Sequence, residues 1–72
     1  MARPPEVGAR YRVVRLDGSL APVVWEVAEL FTSDVDGAAY ARLRQVGDRT
    51  RVKSVGAAVL SDRRHFLPVE GG

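Results

Sequence analysis

The sequence predicts a small all-β domain, and three observations support this prediction. Residues 23–32 (VVWEVAELFT) place Val23, Trp25 and Val27 at alternate positions, the period of a strand with one buried face. Segments rich in Asp and Gly recur along the chain and divide it into short extended runs. The 72 residues include no cysteine, so a single domain must rely on its apolar core alone.

The central strand of the predicted fold is residues 23–32. It contains the only tryptophan, Trp25, which we expect at the centre of the core because a tryptophan buries on the order of 200 Å². The alternation breaks after Val27. A β-bulge or a strong bend there would return Leu30 or Phe31 to the core.

The two ends of the domain are also predicted to be extended. Residues 10–16 (RYRVVRL) form the first strand and residues 64–69 (RHFLPV) form the last. Residues 56–62 are too few for a full helix and are expected to form a 3₁₀ turn, with Val59 or Leu60 as an apolar plug.

Residues 38–46 (AAYARLRQV) fit two structures. Ala, Arg, Leu and Gln favour a helix, and Ala39, Leu43 and Val46 have helical spacing. A strand is favoured because nine residues are few for a helix and turn signals bracket the segment. As a strand, the segment would carry three polar or charged side chains on the face opposite Leu43: Tyr40, Arg42 and Arg44.

A fourth strand is predicted at residues 51–55 (RVKSV), in a hairpin with the third. Matching the apolar faces pairs Val46 with Arg51 across a four-residue loop. This register sets Arg44 directly opposite Lys53, a contact between like charges.

The same matching sets the register between the second and third strands. It pairs Trp25 with Leu43 and places Glu26 opposite Arg42.

Five strands in a meander, with a short helical turn before the last, resemble the SH3-like (Tudor-like, KOW-like) small barrels. The resemblance covers residues 10–69, with residues 1–9 as a flexible lead-in and 70–72 as a tail. It implies a five-stranded barrel. Members of this group bind peptides, modified side chains, RNA or ribosomal partners, and none of these functions transfers by fold alone.

The sequence favours a protein that is not an enzyme and holds neither a cofactor nor a metal. His65 is the only histidine, cysteine is absent, and no serine stands in a nucleophile elbow. The run Asp34-Val35-Asp36-Gly37 is too short for a calcium loop, so it is read as a turn. A barrel of this size rarely encloses a substrate-sized pocket, so no small-molecule substrate is expected.

The net charge of +2 is unevenly distributed along the chain. Residues 1–37 carry four arginines against six acids, whereas residues 38–72 carry six arginines and one lysine against three acids. Arginine suits the bidentate recognition of phosphate. Codon bias in a GC-rich genome is the alternative explanation of the arginine content.

The arginine-rich strands give the candidate binding site. Tyr40, Arg42, Arg44, Arg51 and Lys53 are expected to share the outer face of the third and fourth strands. Such a face would bind nucleic-acid phosphates without sequence readout, with Tyr40 available to stack on a base. The alternative is a solvated face on which Glu26 pairs with Arg42.

A protein-interaction module or accessory subunit is the second functional hypothesis. Val14, Val24 and Leu30 occupy strand positions that the alternation predicts to face away from the core. Exposed apolar residues on a small domain often mark a surface that binds a partner. The pairing would use an apolar sheet face or a sheet edge. Because no secretory signal or membrane-spanning run is present, we expect a cytoplasmic protein without membrane contact.

Overall fold

The chain folds into five antiparallel strands and one short helix in a computed structural model, which describes residues 5–69. In chain order the elements are β1 (Arg10–Val14), β2 (Leu20–Thr32), β3 (Ala39–Gln45), β4 (Asp48–Gly56), α1 (Ala57–Leu60) and β5 (Phe66–Pro68). The strands form one sheet in the order β4-β3-β2-β1-β5, which confirms the predicted all-β class. No ladder joins the edge strands β4 and β5 among the described residues, so closure of the predicted barrel is not confirmed.

The ambiguous segment at residues 38–46 is a strand, as predicted. β3 pairs with β2 on one side and with β4 on the other, so its backbone groups are bonded in both directions. Ala41 and Leu43 are fully buried, whereas Arg42 and Arg44 are exposed. Pairing with two neighbouring strands therefore overrides the helical propensity of this segment.

The long central strand β2 contains a β-bulge where the alternation of the sequence breaks. The register between β2 and β3 shifts between Val27 and Glu29, which leaves Ala28 as the extra residue. Because one extra residue reverses the parity, Leu30 moves to the core side and pairs with Ala41. The bulge is confirmed, although Leu30 keeps 42% of its surface exposed.

Six side chains form the buried core: Tyr11, Val27, Ala41, Leu43, Leu60 and Phe66. α1 contributes Leu60, which is 1% exposed, whereas Val59 is 44% exposed. Leu60 is therefore the predicted apolar plug. The turn is α-helical rather than 3₁₀, because the Ser61 N–H donates to the Ala57 carbonyl oxygen at 3.1 Å.

Trp25 does not lie at the centre of the core, contrary to the prediction. It is partly buried against the core cluster and pairs with Gln45 rather than with Leu43. Leu43 pairs instead with Val27, and both are essentially inaccessible to solvent. A register shift of two residues keeps Trp25 and Val27 on their predicted face but moves the centre of the core along the strand.

The hairpin between β3 and β4 also differs from the prediction. Val46 does not pair with Arg51 across a four-residue loop. Gln45 pairs with Asp48 instead, which leaves a two-residue turn. The second turn residue, Gly47, has a φ of +95°, a conformation that glycine adopts without the steric cost of a Cβ atom.

Asp48 shapes the start of β4. Its Oδ1 accepts hydrogen bonds from the Thr50 N–H at 3.1 Å and from the Thr50 hydroxyl at 2.6 Å. The next residues bulge out of the ladder, and pairing resumes with Val52 opposite Arg44. Lys53 consequently changes faces relative to the predicted register.

Residues 1–4 of the predicted lead-in (1–9) and the whole predicted tail (70–72) lie outside the described residues. Immediately before β1, the Gly8 N–H donates to the Val27 carbonyl oxygen, and the Ala9 carbonyl oxygen accepts from the Val27 N–H, both at 2.8 Å. The chain therefore pairs with β2 already at residue 8. Across residues 5–69, no helix has the length and apolar character that crossing a membrane requires.

Candidate nucleic-acid interface

Three of the five predicted ligand-binding residues share one surface, the outer face, defined as the side of the sheet opposite the core cluster. Tyr40, Arg42 and Arg44 alternate along β3 with the buried Ala41 and Leu43. The prediction that these three side chains point away from the core is therefore confirmed.

Carboxylates of β2 lie beside these arginines. Glu26 accepts a hydrogen bond from Arg10 Nε at 3.1 Å, and its other oxygen lies 4.0 Å from Arg44 Nη2. Glu29 Oε1 lies 3.7 Å from Arg42 Nη1. The predicted placement of Glu26 opposite Arg42 is wrong, because the true register brings a separate glutamate to each arginine. The two glutamates therefore offset part of the positive charge of the outer face, which also carries Arg10 and Arg12.

Lys53 does not belong to the outer face. β4 places it opposite Leu43, so the predicted contact with Arg44 is wrong. Its Nζ lies 4.2 Å from the centroid of the Trp25 ring and 5.7 Å from that of Phe66. Burial lowers the pKa of the Lys53 ammonium from its ordinary value of 10.5. Because Phe66 belongs to β5, this lysine connects the two edge strands by cation–π contacts.

The Tyr40 ring is fixed by two contacts. It stacks on Phe31 with ring centroids 5.7 Å apart and an interplanar angle of 19°. Its hydroxyl donates to Asp36 Oδ2 at 2.8 Å, and this bond raises the pKa of Tyr40. The Ala38 N–H and the Tyr40 hydroxyl both lower the pKa of Asp36. Arg42 lies over the other member of the stack, with its guanidinium carbon 5.4 Å from the Phe31 centroid.

A different set of arginines lies on the segments at one end of the sheet. The turns after β1 and β3 share an end because consecutive strands are antiparallel, and the segment before β5 belongs to the same end because β5 runs antiparallel to β1. The Val14 N–H donates to the His65 carbonyl oxygen at 2.8 Å, and the Val46 N–H donates to the Val24 carbonyl oxygen at 2.9 Å. We refer to this region as the basic end, and its arginines are Arg15, Arg49, Arg51, Arg63 and Arg64.

Three arginines of the basic end lack a carboxylate partner within the part of the chain that the structure describes. No ion pair among these residues involves Arg15, Arg49 or Arg63, and all three are exposed. The other two pair only with aspartates of their own turns. Sequence reasoning missed this set because it sorted arginines by strand face rather than by turn.

The opposite end of the sheet carries the opposite charge. The turn between β2 and β3 contains Asp34 and Asp36 and has neither lysine nor arginine. It is held by side-chain bonds, in which the Ser33 hydroxyl accepts from the Val35 N–H at 3.1 Å and Asp36 accepts from the Ala38 N–H at 2.9 Å. We refer to this turn as the acidic end.

The carboxylate of Asp62 at the basic end gives a pH-dependent prediction. Arg64 donates to it from its backbone N–H at 2.9 Å and from Nη2 at 2.8 Å, and these bonds lower the pKa of Asp62 from 3.8 to about 2. The interaction therefore favours the folded state at pH values above 3.8 and is lost as the pH falls through about 2. We expect a ¹³C-carboxyl NMR titration of Asp62 to show a midpoint of about 2.

The substitution Arg64→Ala should raise this Asp62 midpoint towards the ordinary value of 3.8. The carboxyl resonance of Asp17, whose pKa is lowered by Ser19 rather than by an arginine, should not respond and provides the control. A wild-type Asp62 midpoint near 3.8 would show that the pair does not form in solution.

Metal-binding side chains do not cluster in the described part of the chain. Between residues 5 and 69, no three or more histidine, aspartate or glutamate side chains are grouped so that they could hold an ion. His65 is exposed in the segment before β5.

Comparison with protein-family models, with curated proteins and with solved structures finds no match to this chain. The function is therefore inferred from the geometry of the two charged ends and the outer face.

Proposed function

We propose that this chain is a small non-catalytic module that binds single-stranded nucleic acid through its phosphates, using the basic end. The observation that carries the proposal is the placement of five arginines at one end of the sheet, on the turn after β1, the start of β4 and the segment before β5. A guanidinium donates two parallel hydrogen bonds to a phosphate, and a positively charged surface attracts the strand at a distance. Single strands suit this surface because arginines on three separate segments can contact the phosphates of an irregular backbone.

The basic end is favoured over the outer face because, among the described residues, three of its five arginines have no carboxylate within ion-pair distance, against one of four on the outer face, Arg12. On the outer face, Glu26 and Glu29 lie within ion-pair distance of the arginines. Three unpaired arginines at the basic end would contribute about three phosphate contacts. For a single strand this predicts a log–log slope of affinity against salt of about −2. Phosphate contacts position a strand but do not read its sequence, so the binding should be non-specific.

Two further features support a binding role of this kind. The resemblance to SH3-like barrels points to a class whose members bind ligands, RNA among them, rather than catalyse reactions. The absence of cysteine supports action in a reducing compartment such as the cytoplasm. Neither feature identifies the ligand. The proposal that the ligand is a nucleic acid rests on the arginines alone.

Fluorescence anisotropy with a labelled, mixed-sequence RNA oligomer tests the proposal. We expect the wild-type affinity to fall about 15-fold between about 50 mM and 200 mM salt, as a slope of −2 requires. Removing two of the free charges together, Arg49→Ala with Arg63→Ala, should weaken binding at low salt by at least about tenfold. The same double variant should reduce the slope to about −0.7, the value for one remaining contact.

Two control variants separate the basic end from net charge and from the outer face. Val35→Glu with Ala38→Glu lowers the net charge by the same two units at the acidic end, where both residues are exposed, and should leave the slope unchanged. Arg42→Ala with Arg44→Ala tests the outer face and should weaken binding less than the basic-end variant. Equal losses in all three variants, or no binding at low salt, would refute the proposal.

A further inference from the structure

The acidic end borders an open apolar groove. The groove has a volume of about 290 Å³ and is lined by Pro5 and by residues of β2, β3 and α1: Leu30, Phe31, Thr32, Ala39, Tyr40 and Ala57. Leu30 is 42% exposed although it follows the bulge onto the core side. An apolar groove beside Asp34 and Asp36 suits an apolar side chain that is flanked by positive charge.

The basic end of the same chain presents such a side chain. Leu16 lies in the turn between β1 and β2 and is fully exposed, at 111% of its reference area. Arg15, which precedes it, has no ion-pair partner among residues 5–69. Asp17 follows Leu16, so the positive charge of this end comes from its five arginines together, which outnumber its three aspartates, Asp17, Asp48 and Asp62, by two. This net charge is opposite in sign to that of the acidic end.

The turn that carries Leu16 is held in a defined shape. Asp17 Oδ1 accepts from the Ser19 N–H at 2.9 Å and from the Ser19 hydroxyl at 2.6 Å. The Arg15 N–H donates to the Ser19 carbonyl oxygen at 2.8 Å, and Gly18 has a φ of +86°. Because the turn is already ordered, docking of Leu16 would cost little conformational entropy.

Leu16 and the groove cannot meet within one chain. They lie at opposite ends of a sheet, in a molecule whose longest dimension is 34 Å. The two complementary surfaces are therefore available only to different copies.

We propose that copies of this chain associate head to tail, with Leu16 of one copy in the apolar groove of the next. Arg15 of the first copy then lies beside Asp34 and Asp36 of the second. Such an interface joins two different surfaces. An assembly of any length therefore keeps a free groove at one end and a free Leu16 at the other, and further copies can add. The contact is small, and the assembly is therefore weak, concentration-dependent and sensitive to salt. This association goes beyond the proposed nucleic-acid binding and does not depend on it.

Sedimentation velocity on protein freed of nucleic acid tests the proposal, since a bound polyanion would cover the basic end. Between about 10 μM and 1 mM, the weight-average sedimentation coefficient of the wild type should rise continuously and pass the dimer value. High salt should reverse the rise. Leu16→Ser, which removes the inserted side chain, and Ala39→Arg, which fills the groove, should each remain monomeric.

A mixture of the two variants distinguishes head-to-tail pairing from a symmetric dimer. Leu16→Ser retains the groove and Ala39→Arg retains the leucine, so an equimolar mixture should form a one-to-one heterodimer and nothing larger. Val52→Ser is the matched control, because Val52 is 52% exposed on β4 and belongs neither to the groove nor to the turn that carries Leu16, and this variant should associate like the wild type.

Three results would overturn the proposal. The first is association of Leu16→Ser to the wild-type extent. The second is a mixture in which both variants stay monomeric. The third is a wild type that is monomeric at every concentration.

Discussion

Replacing Leu43 with alanine is expected to lower the free energy of unfolding by about 2–5 kcal/mol. Leu43 has no exposed surface, and it pairs with Val27 on β2 and with Lys53 on β4. Its truncation would leave a cavity in the core at the point where β3 is flanked by β2 and β4. The total free energy of unfolding of a small domain is about 5–15 kcal/mol, so the loss would be a large part of the stability.

Urea unfolding followed by the fluorescence of Trp25 measures this effect. Leu16→Ala makes the same chemical change at a fully exposed position and should alter the free energy of unfolding by no more than about 0.5 kcal/mol. If the two alanine variants unfolded at the same urea concentration, Leu43 would not be the centre of the core.

The side of the sheet on which a residue lies could be predicted from the sequence more reliably than its partner. Side chains alternate with a period of two, so Tyr11, Val27 and Leu43 identify the buried face without knowledge of the register. The shift of two residues between β2 and β3 preserves this alternation. Trp25 therefore kept its predicted face although its partner is Gln45 rather than Leu43.

The register of the hairpin between β3 and β4 could not be predicted in the same way. It differs from the predicted register by one residue, and an odd difference moves side chains to the opposite face of the sheet. A two-residue turn and a four-residue loop fit the same run of Gly, Asp, Arg and Thr. The choice depends on the local bonds from Thr50 to Asp48, which favour a bulge. That one-residue difference moves Lys53 from the expected patch to the rings of Trp25 and Phe66.

The charge balance of the candidate site follows from register as well. Parity alone places Arg42 and Arg44 on the outer face, but the register between β2 and β3 brings Glu26 opposite Arg44, and the bulge after Val27 brings Glu29 opposite Arg42. The basic end, in contrast, needs no register. Alternate turns of a meander lie at the same end, so the arginines that follow β1 and β3 could have been grouped from the strand order alone, whereas those before β5 also require that β5 pairs antiparallel with β1.

Replacing Leu60 with alanine is expected to cost about 2–5 kcal/mol of unfolding free energy, because α1 is held by packing rather than by its own bonds. An isolated helix of four residues is unstable in water, since nucleation fixes several residues before hydrogen bonds repay the entropy. Leu60 is 1% exposed and is the only residue of α1 in the core cluster. Its truncation should therefore also release the segment that leads into β5.

Val59→Ala provides the control for Leu60, because it truncates the neighbouring residue of the same helical turn. Val59 is 44% exposed, so we expect a change of less than about 1 kcal/mol in urea unfolding. Amide hydrogen exchange adds a local measurement. In Leu60→Ala, the N–H groups of Ser61 and Asp62, which donate to Ala57 and Val59, should lose protection before those of β3. Unchanged protection of these two amides together with an unchanged urea midpoint would mean that α1 does not depend on its single buried side chain.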